Sequence, residues 1–495
     1  MPDTAISPLR PRQWGLFLLG LALLWPALVS RDVYAFNDTA SYLRVAGTAI
    51  KAITGIDADQ PWQTDKSSAR QQAPGNAENP VTRSAVQGVR QAQTSGSLVI
   101  YGRSLYFGAF LYLGALAGSF WLPVILQALL SAIVIVGLVR HFVDPAHKRA
   151  FSATCAVSFA LCACTSLPFF VCFLMPDLLV GLALVSAAIL LVGWRRERSA
   201  WRIGLSLIAA YAALSHSTAI AVLAVFGFAG LLFGLLYNKQ AVRLPAILLL
   251  VAALCGVAGE FALGQATKHI TGSEPLRPPF LTARLVEDGP GRRYLTEHCA
   301  HSKFALCRYP LGGKTNAEIF LWSEQRPEGG FRALPAEDRG RVAEEQYRFA
   351  WAVLTTYPAE TSAALAQDLL RLMTRFDLEE FRPNYHMADL IAGPLEAPLP
   401  GTPLPWPQRI IAVVLASMMG VSAIATVWIA RKGTGPQRAL VVLMALILLA
   451  NDVICAWLSG PFARYNTRLA WALPLVVGLY LLPALLRLRD AKRHS

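Results

Sequence analysis

Asp38 stands in Phe36-Asn37-Asp38-Thr39-Ala40-Ser41-Tyr42-Leu43, a few residues past the first apolar run, 14–30. A carboxylate just outside a membrane span can take a proton from the hydroxyl of a substrate held at the bilayer surface. Other ionisable residues share its level relative to the apolar runs. Asp177 opens the fourth run in Pro176-Asp177-Leu178, and His216 separates the fifth and sixth in Ser215-His216-Ser217. Glu260 and Asp452 lie near the outer ends of the seventh and ninth runs, and Arg464 and Arg468 share the last outer turn, Pro461 to Arg468. Arg103 closes the first outer loop. Charged groups are costly in hydrocarbon and are functional candidates by default. Carboxylates and guanidiniums at one depth would suit an acceptor hydroxyl on one side and a phosphate on the other. The planar fork of Arg matches phosphate oxygens.

Each residue also has a purely structural reading. Asn37-Asp38-Thr39 is good capping chemistry for a helix over the residues that follow. Asp177 can cap the fourth helix, and His216 can satisfy a broken helix turn. Glu260 and Asp452 can pair with arginines. Arg464 and Arg468 can anchor at the interface beside Tyr465 and Trp471. The shared depth is what sets the group apart.

The elements that must position these residues are membrane helices. Hydrophobic residues make up 55% of the 495 positions and charged residues 15%, against about a quarter charged in a soluble globular protein. Ten apolar runs are read as spans: 14–30, 121–139, 150–167, 178–194, 203–216, 218–237, 245–263, 409–430, 438–459 and 467–486. A run of about 20 residues crosses a bilayer. Segments 1–13, 140–149, 195–202, 238–244, 431–438 and 487–495 carry 18 of the 45 basic and 4 of the 31 acidic residues, leaving 27 of each elsewhere. All of the net charge of +14 therefore falls on one side, which the positive-inside rule makes the cytoplasmic side. The pI near 9.6 then calls for no nucleic-acid partner. Both termini are expected in the cytoplasm of an inner-membrane protein. The first run, with no small-residue cleavage site after it, is expected to stay as an anchor.

The expected fold is an all-α membrane protein of about ten transmembrane helices with a large, mostly helical outer loop. Residues 1–263 form an N-terminal module with a first outer loop over 31–102, of which 57–97 reads as disordered. Residues 264–408 form the periplasmic loop domain, and 409–495 the last helices. Residues 104–118 suit an interfacial helix. In the large loop, helical spacing runs from about Glu337 to Met373, interrupted at Pro358, with Asp338 as a candidate cap. Cys299 and Cys307 share that loop; outside the cell they could form a small disulfide, and otherwise they are two free thiols. No metal-ligand spacing is visible.

Five further stretches fall in order along the runs. Gly102-Arg103-Ser104-Leu105-Tyr106 precedes the interfacial segment, and Gln127-Ala128-Leu129-Leu130-Ser131 lies in the second run. Ser215-His216-Ser217 follows the fifth, and Arg464-Tyr465 precedes Leu473-Pro474 in the last. With Asp38 after the first run, this order resembles the GT-C superfamily of integral membrane glycosyltransferases. That superfamily includes protein mannosyltransferases and the aminoarabinose transferases that modify lipid A. The resemblance departs at Ser104, where a Pro is usual, and at His216, where Arg or Lys is usual. It implies transfer of a sugar from a polyprenyl-phosphate donor to a lipid or glycan acceptor on the periplasmic face, with inversion. Asp38 would be the catalytic base. Arg103, Tyr106, Asp177, His216, Arg464 and Tyr465 would bind substrate. A divalent metal is left open.

Two other classes compete. A lipid or solute transporter also carries polar residues in spans, but near the midplane and often between internal repeats. A polysaccharide polymerase or ligase would put its catalytic groups in the large outer loop, around Arg284, Arg292, Arg293 and His298. The bland reading of Asp288-Gly289-Pro290-Gly291 there is a turn.

Overall fold

The computed structural model describes residues 19–55, 104–271, 275–313, 315–378, 381 and 407–493. The expected disordered stretch 57–97 and the Gly102-Arg103 pair lie outside the described residues. Among those described, every named element is a helix, and Tyr34 and Phe173 form an isolated bridge.

A 3₁₀ turn, Leu19–Leu24, runs into α1, Trp25–Ser30. The segment that follows opens with α2, Asn37–Thr54, which ends on Gly55 in the left-handed region at φ 71°, a conformation glycine adopts without Cβ strain. Next come α3, Leu105–Leu116, then α4, Trp121–Val139, α5, Lys148–Ala163, and the short α6, Leu167–Val171. The bundle continues with α7, Asp177–Gly193, α8, Ser199–Ser215, α9, Ser217–Leu236, and α10, Gln240–Thr271.

Among the described residues a helix falls on every expected span, and five of these helices are long and apolar enough to cross a membrane: α4, α9, most of α10, and the two described below as α16 and α17. The difference is instructive at α7. It is 17 residues long and almost every one is buried. A helix that is apolar all round belongs inside a protein core as readily as inside lipid. Here it is the shaft of the bundle, packed by α4, α8, α9, α10 and α17. The helix expected over 104–118 forms as α3. It lies along α2, closely enough that a Cβ on Gly108 would stand 2.3 Å from the Tyr42 carbonyl.

The large loop folds into its own helical body: α11, Phe280–Asp288, α12, Pro290–His298, α13, Ala317–Trp322, α14, Ala336–Thr356, and α15, Pro358–Thr374. Its core holds Val286, Phe320, Phe331 and Leu334. The break falls at Pro358, which opens α15 at a position where its missing N–H costs nothing. Asp338 is not the cap of α14. It lies in the first turn and is held by Arg308 at 3.1 Å and the Tyr309 hydroxyl at 2.6 Å. The Cys299 and Cys307 sulfurs are bonded to each other. The chain then returns through α16, Gln408–Lys432, α17, Gly435–Leu458, a short α18, Ala463–Thr467, and α19, Ala472–Arg493.

Candidate functional site

The polar residues at the end of the bundle where α7 starts converge on one guanidinium. Arg468, just past α18, is fully buried. Its Nη1 donates to Asp177 Oδ1 at 3.1 Å and its Nη2 to Asn451 Oδ1 at 2.7 Å. Nη2 also lies 3.3 Å from Cys455 Sγ, and the Tyr465 ring lies 5.1 Å from the guanidinium carbon. The pair ties α7 to the C-terminal turn across 291 residues of sequence. Removing one member of such a buried pair strands the other charge, at a cost of about 3–5 kcal/mol.

Asn451 holds the arrangement together. Its amide donates to Asp452 Oδ1 at 3.0 Å and to the Tyr465 carbonyl at 2.9 Å. His216 sits in the gap between α8 and α9 with extended backbone, and its Nδ1 accepts from the Thr218 N–H at 3.1 Å. It does satisfy the helix break. It also lies within electrostatic reach of Asp177, as do Arg464 and Arg468. The Thr218 hydroxyl lies 3.8 Å from Cys455 Sγ, which brings the helix break against the Arg468 cluster.

Arg464 takes a different position on the same turn. Its guanidinium lies 4.8 Å from the Phe36 ring and 5.0 Å from the Tyr465 ring, and Nη2 donates to the Tyr465 hydroxyl at 3.1 Å. A cation over an aromatic face is attracted by the ring quadrupole. Phe36 is the residue before α2, and Asp38 lies in the first turn of that helix.

The capping alternative for Asp38 resolves in favour of its neighbour. The Phe36 N–H donates to Thr39 Oγ1 at 3.0 Å, and that hydroxyl donates to the Leu174 carbonyl at 3.1 Å. Thr39 is buried, whereas Asp38 is partly exposed. The same stretch is fastened by backbone bonds of 2.9 Å from Tyr34 N–H to the Cys172 carbonyl and from Leu174 N–H to the Tyr34 carbonyl. Gln127, in the expected Gln-Ala-Leu-Leu-Ser run, donates to the Val171 and Phe173 carbonyls at 2.7 and 3.2 Å. The Asp38 turn and the segment leading to Asp177 are thus bound to each other.

The other site candidates fall elsewhere. Tyr106 is a tie between helices: its hydroxyl donates to the Gly259 carbonyl at 3.2 Å, and its own carbonyl accepts from the Tyr211 hydroxyl at 3.2 Å. Arg103 lies outside the described residues. Glu260 pairs with Arg277 at 2.7 Å. Arg468 and Asn451 are the residues that sequence reading undervalued. An Asn-Asp pair inside an apolar run is the signal that could have found Asn451.

Among the described residues, no group of three or more His, Cys, Asp or Glu side chains is placed to hold a metal ion. Comparison with family models, curated proteins and solved structures finds no match for this chain.

Proposed function

We propose that the chain is an inverting membrane glycosyltransferase of the GT-C type, moving a sugar from a polyprenyl-phosphate donor to an acceptor on the periplasmic face of the inner membrane. In this reading all ten helical runs cross the bilayer, both termini are cytoplasmic, and the long loops face outward. One observation carries it. The Arg464 guanidinium lies 4.8 Å from the ring of Phe36, two residues before Asp38. The candidate phosphate-binding group and the candidate base thus belong to adjoining turns.

In the proposed step the acceptor oxygen attacks the anomeric carbon and gives its proton to Asp38. The bond from that carbon to the carrier phosphate breaks on the opposite face, and polyprenyl phosphate leaves with its charge toward Arg464. Arg468 and Asp177 hold the turn in register, and Tyr465 backs the Arg464 fork.

The polymerase or ligase reading has less support. Arg284 is engaged by Asp288 and Asp368, Arg293 by Glu297 and Glu360, Arg292 by the Gly313 carbonyl, and His298 by the Tyr357 hydroxyl. Those side chains hold the outer domain together.

Asp38→Asn tests the base assignment. The variant is expected to fold and express as wild type and to lose at least about a hundredfold in transfer, the lower end of what a positioned general base supplies. Wild-type turnover in that variant removes Asp38 from the mechanism.

A further inference from the structure

The outer domain grips the turn that carries Arg464 and Arg468. At the end of α15, the Leu372 and Arg375 carbonyls accept from the Asn466 amide at 3.0 and 3.1 Å. The Asp377 carbonyl accepts from the Thr467 hydroxyl at 3.4 Å, and Arg375 Nη1 donates to the Pro461 carbonyl at 3.4 Å. The grip depends on where α15 sits, and α15 is pinned to α11 by a buried charge cluster. Arg284 of α11 pairs with Asp368 of α15, with Asp288 at 2.8 Å, and with Glu287. Arg371 adds a contact to Asp368 at 3.3 Å. These side chains and Pro461 line a cavity of about 180 Å³. Arg284 also reaches the start of the turn: a Cβ on Gly460 would stand 3.3 Å from its Nη1, and Gly460 has φ +130°, which favours glycine.

We propose that Arg284 and Asp368 are positioning residues that hold the Arg464 turn from the outer domain, and that Asp288 loosens the hold when it ionises. Two cations, Arg284 and Arg371, face three carboxylates, Glu287, Asp288 and Asp368. The third negative charge is in excess. Burial pushes the Asp288 carboxyl up to about 7; Arg284 opposes this, and Asp368 and Glu287 add to it. The latched state therefore keeps a proton that a released carboxyl would lose near its ordinary value. Latching is tightest at acid pH and weakens as pH rises through about 7. Its consequence for transfer rests on the reading of Arg464 as the phosphate-binding group. The latch itself needs no substrate to be measured.

Hydrogen exchange of the 460–468 segment in the full-length protein, in lipid nanodiscs between pH 5 and 9 and normalised to intrinsic rates, is the test. Wild-type protection is expected to fall about tenfold across neutral pH. Asp288→Asn is expected to keep the acid-side protection throughout, and Asp368→Asn to lose it at every pH. A pH profile in Asp288→Asn that tracks wild type overturns the proposal, as does full protection in Asp368→Asn. If Asp368→Asn fails to fold, the Asp288→Asn profile decides alone. Failure here leaves the glycosyl-transfer reading standing, and loss of that reading leaves the exchange result intact.

Discussion

The bundle carries a buried charge cluster at each end, and the two differ in kind. At the end where α7 finishes, Glu197 lies 3.1 Å from His141 Nε2 and 3.8 Å from Arg140 Nη2, and Arg140 stacks over the Trp201 ring at 4.5 Å. All three ionisable side chains are buried, and among the described residues neither Glu197 oxygen accepts a well-aligned hydrogen bond. The cluster closes the ends of α4, α7 and α8, and Gln437 at the start of α17 donates to the His141 carbonyl at 3.2 Å. At the end where α7 starts, Arg468 is hydrogen-bonded at 2.7 and 3.1 Å, and contacts continue through Tyr465 and Arg464 to the partly exposed Asp38 turn. Burial of charge alone is common to both ends. The Arg468 cluster adds a second guanidinium, Arg464, and adjoins the partly exposed Asp38 turn.

That contrast can be broken by substitution. Arg468→Met is expected to have the largest effect. It strands Asp177, lowers stability by about 3–5 kcal/mol, and abolishes transfer because the turn loses its anchor. Thermal unfolding and turnover on the same preparation check both. Arg464→Ala is expected to weaken use of the lipid-phosphate donor by about ten- to a hundredfold, the share of one charge-assisted contact. Its melting temperature should stay near wild type. Unchanged donor kinetics would leave Arg464 as an interfacial anchor. Glu197→Gln sharpens the comparison from the other side. It is expected to cost about 1–3 kcal/mol and to leave the turnover of the folded fraction unchanged. A specific loss of turnover there would erase the distinction between the two ends.

Much of the scaffold was legible from the apolar runs, because a helix in lipid and a helix in a buried core both demand long apolar stretches. The same ambiguity applies to α7, which is 17 residues long and buried by protein. The break at Pro358 was legible because proline dictates it locally. The choice between Arg464 and Arg468 was not. They sit four positions apart on one turn, and what separates them is Asp177, 291 residues from Arg468 in sequence. Likewise, Asn37, Asp38 and Thr39 all have capping chemistry. The Leu174 carbonyl, 135 residues from Thr39, accepts from that hydroxyl and sets Thr39 apart from its two neighbours.

The most direct test of the central claim is the lipid profile of cells lacking this protein, complemented with wild type or with Asp38→Asn. Cells without the protein and cells with Asp38→Asn are predicted to accumulate a polyprenyl-phosphate sugar and to lack one sugar on an envelope glycan, while wild type restores both. A carrier pool and glycan that stay unchanged without the protein, or full restoration by Asp38→Asn, would contradict the account.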